Sequence, residues 1–106
     1  MKKLLFLSMF LSSIVQAGSS EGVVSSPLVS SGDAFFFSAG AHVNKPSCAV
    51  QTLGSWAVDL KTEHGKAVMS IVIAAHAQKK RVHVQGKNNC DVWGDRESID
   101  YVFIVD

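Results

Sequence analysis

The chain has 106 residues, ten basic and nine acidic side chains, and a formal net charge of +1. This length suffices for one small domain. The near-neutral charge provides no long-range attraction to nucleic acid or to an anionic membrane surface. We therefore expect a single domain without a nucleic-acid partner.

The first seventeen residues have the three-part pattern of a secretory signal peptide. Lys2 and Lys3 form a positive start, an apolar stretch follows, and the small residues Val15 and Ala17 precede a cleavage site. The apolar stretch is shorter than the ~20 residues that span a bilayer. We expect cleavage near Ala17, a secreted or periplasmic protein, and no membrane insertion after processing.

The processed chain is predicted to be one OB-fold-like domain, residues 18–106. Removing residues 1–17 from the 106 leaves 89, and loss of two lysines changes the formal charge to −1. A domain this small is marginally stable without additional stabilisation. In an oxidising compartment its two cysteines, Cys48 and Cys90, predict a disulfide bond that stabilises the fold by about 4 kcal/mol. Export disfavours the alternative, a thiol nucleophile paired with a histidine.

Three strands are predicted before the only helix. Residues 18–32 mix serine and glycine with apolar side chains, which indicates an edge strand that bends or bulges near Pro27. Residues 34–38 contain three consecutive phenylalanines, which predict a strand covered on both faces. A third strand is predicted over residues 48–60, with Trp56 in the core.

The hydrophobic period then changes to that of a helix. The positions that fit spacings of three and four are Val68, Ile71, Val72 and Ala75. Met69 and Ile73 widen this stripe, which predicts a helix packed on more than one side. Thr62 is the predicted N-cap, and Gly65 weakens the first turn.

Two further strands follow the helix. Residues 81–85 alternate between polar and apolar side chains, and residues 101–106 form the last predicted strand. The order β-β-β-α-β-β is that of an OB-fold, so we expect a mainly β protein with one helix (α+β) folded as a five-stranded OB-fold-like barrel. An open antiparallel sheet with the helix across one face remains the alternative.

No catalytic or metal-binding pattern emerges from the sequence. His64 and His76 lack the i, i+4 spacing of zinc-binding helices. Asp95 and Glu97 flank Arg96, which we interpret as a neutralised surface loop, because a glycosidase needs two carboxyl groups that face each other about 5 to 10 Å apart. We expect no metal, no cofactor and no enzymatic activity. A small hydrolase using Asp95 and Glu97 is the least favoured hypothesis.

Several short motifs follow one another in an order that resembles the binding subunits of subtilase-cytotoxin and typhoid-toxin type. These motifs are Glu21-Gly22-Val23-Val24, Phe35-Phe36-Phe37, Cys48-Ala49-Val50, Trp56 and Arg81-Val82-His83-Val84. The resemblance implies a secreted OB-fold that assembles into a ring and binds sialylated glycans. The chain is also similar to small secreted bacterial OB-fold proteins of unsettled function, through Pro46-Ser47-Cys48, Gly65-Lys66-Ala67 and Cys90-Asp91-Val92-Trp93-Gly94-Asp95.

The sequence departs from the toxin pattern in several places, among them the second-strand cysteine, where this chain has Phe37 and Ser38, and the glycan-contacting position. The toxin subunits carry a glycan-contacting serine before the first-strand glycine, where this chain has Glu21, with Ser20 one position earlier. A carboxylate at this place disfavours sialic acid. Trp93 lies in a polar loop and is expected to be exposed, whereas Tyr101 is expected to pack. The candidate ligand-binding residues are Ser20, Glu21, His83, Gln85 and Trp93.

The most favoured function is an exported, non-enzymatic binding module, similar to a toxin binding subunit, with a glycan or another surface ligand. The alternative is a small periplasmic structural or interaction protein that docks on a protein partner through a sheet edge. The broad apolar stripe of the helix, including Ile73, further predicts a homo-oligomer.

Overall fold

The computed structural model describes residues 16–105, so the predicted signal peptide up to residue 15 lies outside the described residues, as does Asp106. The elements are β1 (Ser19–Val29), β2 (Ala34–Ala39), β3 (Trp56–Asp59), α1 (Glu63–Gln78), β4 (Arg81–Gly86) and β5 (Glu97–Val105). The predicted order of strands and helix is confirmed.

The strands form a closed barrel in the order β1-β2-β3-β5-β4, and β4 pairs back onto β1. All neighbours are antiparallel except β3 and β5, which run parallel and pair through Trp56 with Glu97 and Ala57 with Ser98. This is the predicted OB-fold-like barrel, and the alternative of an open sheet is wrong.

β1 bends as predicted but is not an edge strand. Its first half pairs with β4 and its second half with β2, and the register shifts between Ser25 and Leu28. A bulge of this kind bends a strand and increases its twist. Pro27 lies inside this bulge, in the half of β1 that pairs with β2 and beyond the last residue that pairs with β4, so its missing N–H interrupts no regular ladder.

β2 is buried along its whole length, as its three phenylalanines predict. Phe35 and Phe37 belong to the main core with Trp56, whose side chain is fully buried. Phe36 points to the other side, where the Trp93 ring meets it edge-on at 5.0 Å between centroids. One face of β2 is thus covered by the barrel interior, and the other face is covered by a loop on the outer surface of the barrel.

The third and fifth strands differ in length from the prediction. β3 begins at Trp56, and residues 48–55 form a loop in which the Gln51 side chain accepts hydrogen bonds from the backbone N–H groups of Leu53 and Ser55. β5 begins at Glu97, four residues before the predicted start. Immediately before β3, Gly54 has a φ of +67°, which lies outside the range of a β-strand.

The helix begins at the predicted cap. Thr62 Oγ1 accepts a hydrogen bond from Gly65 N at 2.9 Å. The buried positions form one stripe, namely Gly65, Val68, Val72 and Ala75. Ile71 and Ile73 are 40% and 45% exposed, so the prediction that the helix packs on more than one side is wrong. The helix buries a single face because it covers only part of a small barrel.

The disulfide between Cys48 and Cys90 is confirmed, with 6.2 Å between the Cα atoms. It joins the loop that precedes β3 to the loop that precedes β5. Within residues 16–105, the helix α1 is not long and apolar enough to cross a membrane.

Candidate functional site

The five predicted ligand-binding residues fall in three places. Ser20 faces the barrel interior, where its Oγ accepts a hydrogen bond from Trp56 Nε1 at 2.9 Å. Trp93 lies in the loop before β5 and is 36% exposed, as predicted, with its remaining surface against Phe36 and Gly32. Neither residue belongs to the surface that carries the other three.

Glu21, His83 and Gln85 lie together on the outside of the barrel. Antiparallel pairing places Glu21 opposite His83, and Ser19 opposite Gln85, so alternate residues of three neighbouring strands share one surface. We call this surface the outer face. It consists of Ser19, Glu21 and Val23 of β1, Arg81, His83 and Gln85 of β4, and Tyr101, Phe103 and Val105 of β5.

Aromatic rings form a stacked column on the outer face. The His83 and Phe103 ring centroids are 5.1 Å apart, and those of Tyr101 and Phe103 are 6.3 Å apart, with interplanar angles of 25° and 18°. Phe103 and Tyr101 are 49% and 45% exposed, so the prediction that Tyr101 packs is wrong. The alternation of β5 directs Val102 and Ile104 to the core and leaves the rings outside.

A balanced ion pair adjoins the column. The two carboxylate oxygens of Glu21 lie 3.2 Å from His83 Nδ1 and 3.3 Å from an Arg81 guanidinium nitrogen. The hydrogen bond with His83, and then the one with Arg81, lowers the pKa of the Glu21 carboxyl. Glu21 is therefore an ionised hydrogen-bond acceptor beside exposed aromatic rings, held in place by two partners.

The outer face continues into an apolar cavity beside the helix. This cavity has a volume of about 170 Å³ and is lined by His64, Ala67, Val68, Ile71, Tyr101 and Val102. His64 Nε2 lies 2.7 Å from the carbonyl oxygen of Asp100. Tyr101 therefore belongs to the aromatic column and also lines the cavity.

The two carboxylates considered for hydrolysis do not face each other across a cleft. Asp95 lies at the surface, where Arg96 Nε donates to it at 2.8 Å and lowers the pKa of the Asp95 carboxyl. The Arg96 guanidinium also lies over the Phe36 ring, 4.2 Å from its centroid. Glu97 is fully buried, so the interpretation of Glu97 as part of a surface loop is wrong.

Glu97 belongs to a buried polar cluster that sequence reasoning missed, consisting of Ser20, His42, Trp56 and Glu97. His42 stacks on Trp56 with 3.9 Å between centroids. Both ring nitrogens of His42 face oxygen atoms, Glu97 Oε1 at 2.8 Å and the Gly54 carbonyl at 3.3 Å. The His42 and Glu97 side chains are 1% and 0% exposed, so a substrate could not reach this acid–base pair.

The described part of the chain contains no group of three or more His, Cys, Asp or Glu side chains arranged to hold a metal ion. The polar atoms of the buried cluster are satisfied by one another and by the backbone. Comparisons of the chain with protein-family models, with curated proteins and with solved structures each found no significant match.

Proposed function

We propose that this protein is an exported, non-enzymatic binding module that recognises a glycan with its outer face. The observation that supports the proposal is the exposed aromatic column of His83, Phe103 and Tyr101 beside the ionised Glu21 carboxylate. The apolar C–H face of a sugar ring packs on an aromatic ring, and its hydroxyl groups donate hydrogen bonds to a carboxylate.

The rigidity of the outer face favours binding. Its residues lie on three paired strands, and Glu21 is held by both Arg81 and His83. Groups that are already fixed lose little conformational freedom when a ligand binds. The aromatic rings and the carboxylate therefore form a binding surface that is already ordered before a ligand arrives.

Charge favours uncharged sugars over sialic acid. A ligand carboxylate near Glu21 would be repelled, and the Arg81 guanidinium and the His83 ring are already paired with Glu21. The proposed ligand is therefore a glycan with neutral terminal sugars, which differs from the ligand that the resemblance to the toxin subunits implies.

Export is part of the proposal. The disulfide between Cys48 and Cys90 is typical of an oxidising, extracellular or periplasmic compartment. The residues before position 16 supply the pattern of a signal peptide, with cleavage after Ala17. The outer face begins two residues after this cleavage site, at Ser19, so processing would leave it intact.

Glycan-array binding of the processed protein tests the proposal. Phe103→Ala removes the ring at the centre of the column, and we expect it to lower the affinity for the bound glycan by about tenfold or more. Val50→Ala is the matched control, because Val50 is 68% exposed and lies outside the outer face. Absence of array signal above background, or equal binding by the two variants, would contradict the glycan proposal.

The second candidate function is docking on a protein partner. The apolar cavity beside Tyr101 favours it, because a protein side chain could enter this cavity while the rest of the partner covers Phe103. A sheet edge is not needed for such docking in a closed barrel. A stoichiometric partner that co-purifies from the native envelope and is lost from the Phe103→Ala variant would support this function over glycan binding.

A further inference from the structure

The geometry points to a role for the buried polar cluster: Glu97 is the acceptor of the α-ammonium group that cleavage after Ala17 creates on Gly18. This inference rests on the processing step of the proposed function. The group that binds in the cluster belongs to the chain itself and is the primary ammonium at the new amino terminus. The reaction is hydrolysis of the Ala17–Gly18 peptide bond, in which water supplies the hydroxyl of the Ala17 carboxyl group and a proton to the Gly18 amine.

The nitrogen of Gly18 already lies at the carboxylate. Gly18 N is 3.0 Å from Glu97 Oε2, which also accepts a hydrogen bond from Asn88 N at 2.8 Å. Glu97 Oε1 is 2.8 Å from His42 Nε2. In the unprocessed chain Gly18 N is a neutral amide with one proton. After cleavage the same atom carries a positive charge and three protons, without moving.

The space around the carboxylate requires glycine at the new amino terminus. A Cβ atom built on Gly18 would overlap Glu97 Oε1, and one built on Gly86 would overlap Glu97 Oε2. Any other residue at position 18 would displace its own nitrogen from the carboxylate. The residue that follows the predicted cleavage site is thus the residue type that lets a terminal amine reach Glu97.

The carbonyl group of Gly18 is fixed as well. Gly18 O accepts hydrogen bonds from Gly86 N at 2.9 Å and from Gln85 Nε2 at 3.4 Å. Along the chain, Gly18 is buried, Ala17 is half-buried and Gln16 is exposed. A terminus created two residues earlier would place its charge in solvent. Cleavage after Ala17 places it inside the barrel.

Charge balance gives the ammonium an energetic role. A buried carboxylate is costly unless cations and hydrogen-bond donors surround it. Among the described residues, His42 is the titratable side chain whose ring lies within hydrogen-bond distance of Glu97. Cleavage adds a cation at 3.0 Å, since an α-amino group has an ordinary pKa of about 7.7–8.0 and is largely protonated at neutral pH. Processing and stability are therefore coupled.

Three forms of the oxidised protein test this inference. The first begins at Gly18, released by a protease that leaves glycine at the cut. The second is the same chain with an acetylated amino terminus, which keeps one N–H donor but lacks the charge. The third begins at Ala17, which displaces the charge by one residue, about 3.8 Å. All three contain every strand, the helix and the disulfide.

We expect the form that begins with a free Gly18 amine to melt at a temperature higher by roughly 5 °C or more than the other two forms at pH 7. Its α-amine should also titrate above the ordinary range of about 7.7–8.0 when followed by NMR. Equal melting temperatures of the free and acetylated forms, or an α-amine that titrates within or below the ordinary range, would overturn the role of the ammonium.

The intact mass of the exported protein separates this inference from the export proposal. A chain beginning at Gly18 supports both. A chain that is exported but begins elsewhere overturns this inference and leaves export standing. A chain that is not exported overturns the export proposal, and with it the processing step on which the ammonium depends.

Discussion

Glu21 is the residue that links the sequence-based prediction to the outer face. The sequence groups it with His83 and Gln85 as a candidate binding residue, and the pairing of β1 with β4 brings all three to the outer face. The sequence predicts only that its carboxylate repels an acidic sugar. The structure adds that the Arg81 guanidinium lies beside this carboxylate and that the His83 ring also contacts it.

At the scale of single residues, the pKa of Glu21 provides a test. We expect its carboxyl group to titrate below the ordinary value of 4.5 in NMR, because the hydrogen bonds with His83 and Arg81 favour the ionised form. Since the pKa is lowered in the folded state, the associated stability is present above the unfolded pKa and is lost as the pH falls through the folded pKa. His83→Ala should raise the titration midpoint of Glu21.

His64→Ala serves as the control for that measurement, because His64 contacts Asp100 on the other side of the helix-facing cavity rather than Glu21. The interpretation is wrong if Glu21 titrates at or above its ordinary value in the unsubstituted protein. It also fails if the two histidine variants change the Glu21 midpoint equally.

His42 and Glu97 could not be recognised from the sequence. His42 lies in a loop, and Glu97 follows Asp95 and Arg96 in a segment with the polarity of a surface turn. Long-range contacts decide their environment, since residues 42 and 97 meet only when the barrel closes. The glycines at positions 18 and 86 are the one local sign of a close approach, and glycines are equally typical of turns and bulges.

At the scale of elements, the helix illustrates both what periodicity predicts and what it omits. The cap at Thr62 and the buried positions Val68, Val72 and Ala75 follow from spacing alone. The exposure of Ile73 does not, because a hydropathy pattern contains no information on how wide a surface the barrel offers. Similarly, residues 48–55 have the pattern of a strand but form a loop, in which Gly54 has a φ of +67°.

Gly65 has a packing role that its low helix propensity conceals. A Cβ atom built there would overlap the carbonyl oxygen of Asp59, at the end of β3. Gly65→Ala should therefore destabilise the protein by about 1–3 kcal/mol in denaturant unfolding, although alanine is the better helix former. Gly94→Ala is the matched control, since nothing lies within 4 Å of a Cβ at Gly94. An unfolding free energy unchanged by Gly65→Ala would refute this close contact.

At the scale of the whole molecule, the order of elements favours the barrel, because few arrangements accommodate three strands, a helix and two strands, but it leaves an open sheet as the alternative. The closure itself depends on two long-range pairings, β1 with β4 and β3 with β5, which no local pattern specifies. The buried polar cluster lies beside the second of these pairings, since Trp56 pairs with Glu97.

The assembly state remains a prediction. Exposed Ile71 and Ile73 on the helix lead us to expect a homo-oligomer at micromolar concentration, measured as a mass above that of the monomer by light scattering. Ile73→Asp should give a folded monomer, because the side chain is 45% exposed and its replacement leaves the core intact. Lys66→Asp, at an exposed polar position of the same helix, is the control. A monomeric mass for the unsubstituted protein would contradict the prediction.

The position of the disulfide has a consequence for folding kinetics. The parallel pairing of β3 with β5 rests on two residue pairs, whose members lie roughly forty positions apart in the chain. Cys48 and Cys90 precede these two strands on the same side of the pairing. Once they are oxidised, Trp56 and Glu97 close a loop of only about fifteen residues through the sulfur atoms. Oxidation before barrel closure thus turns this long-range search into a local one.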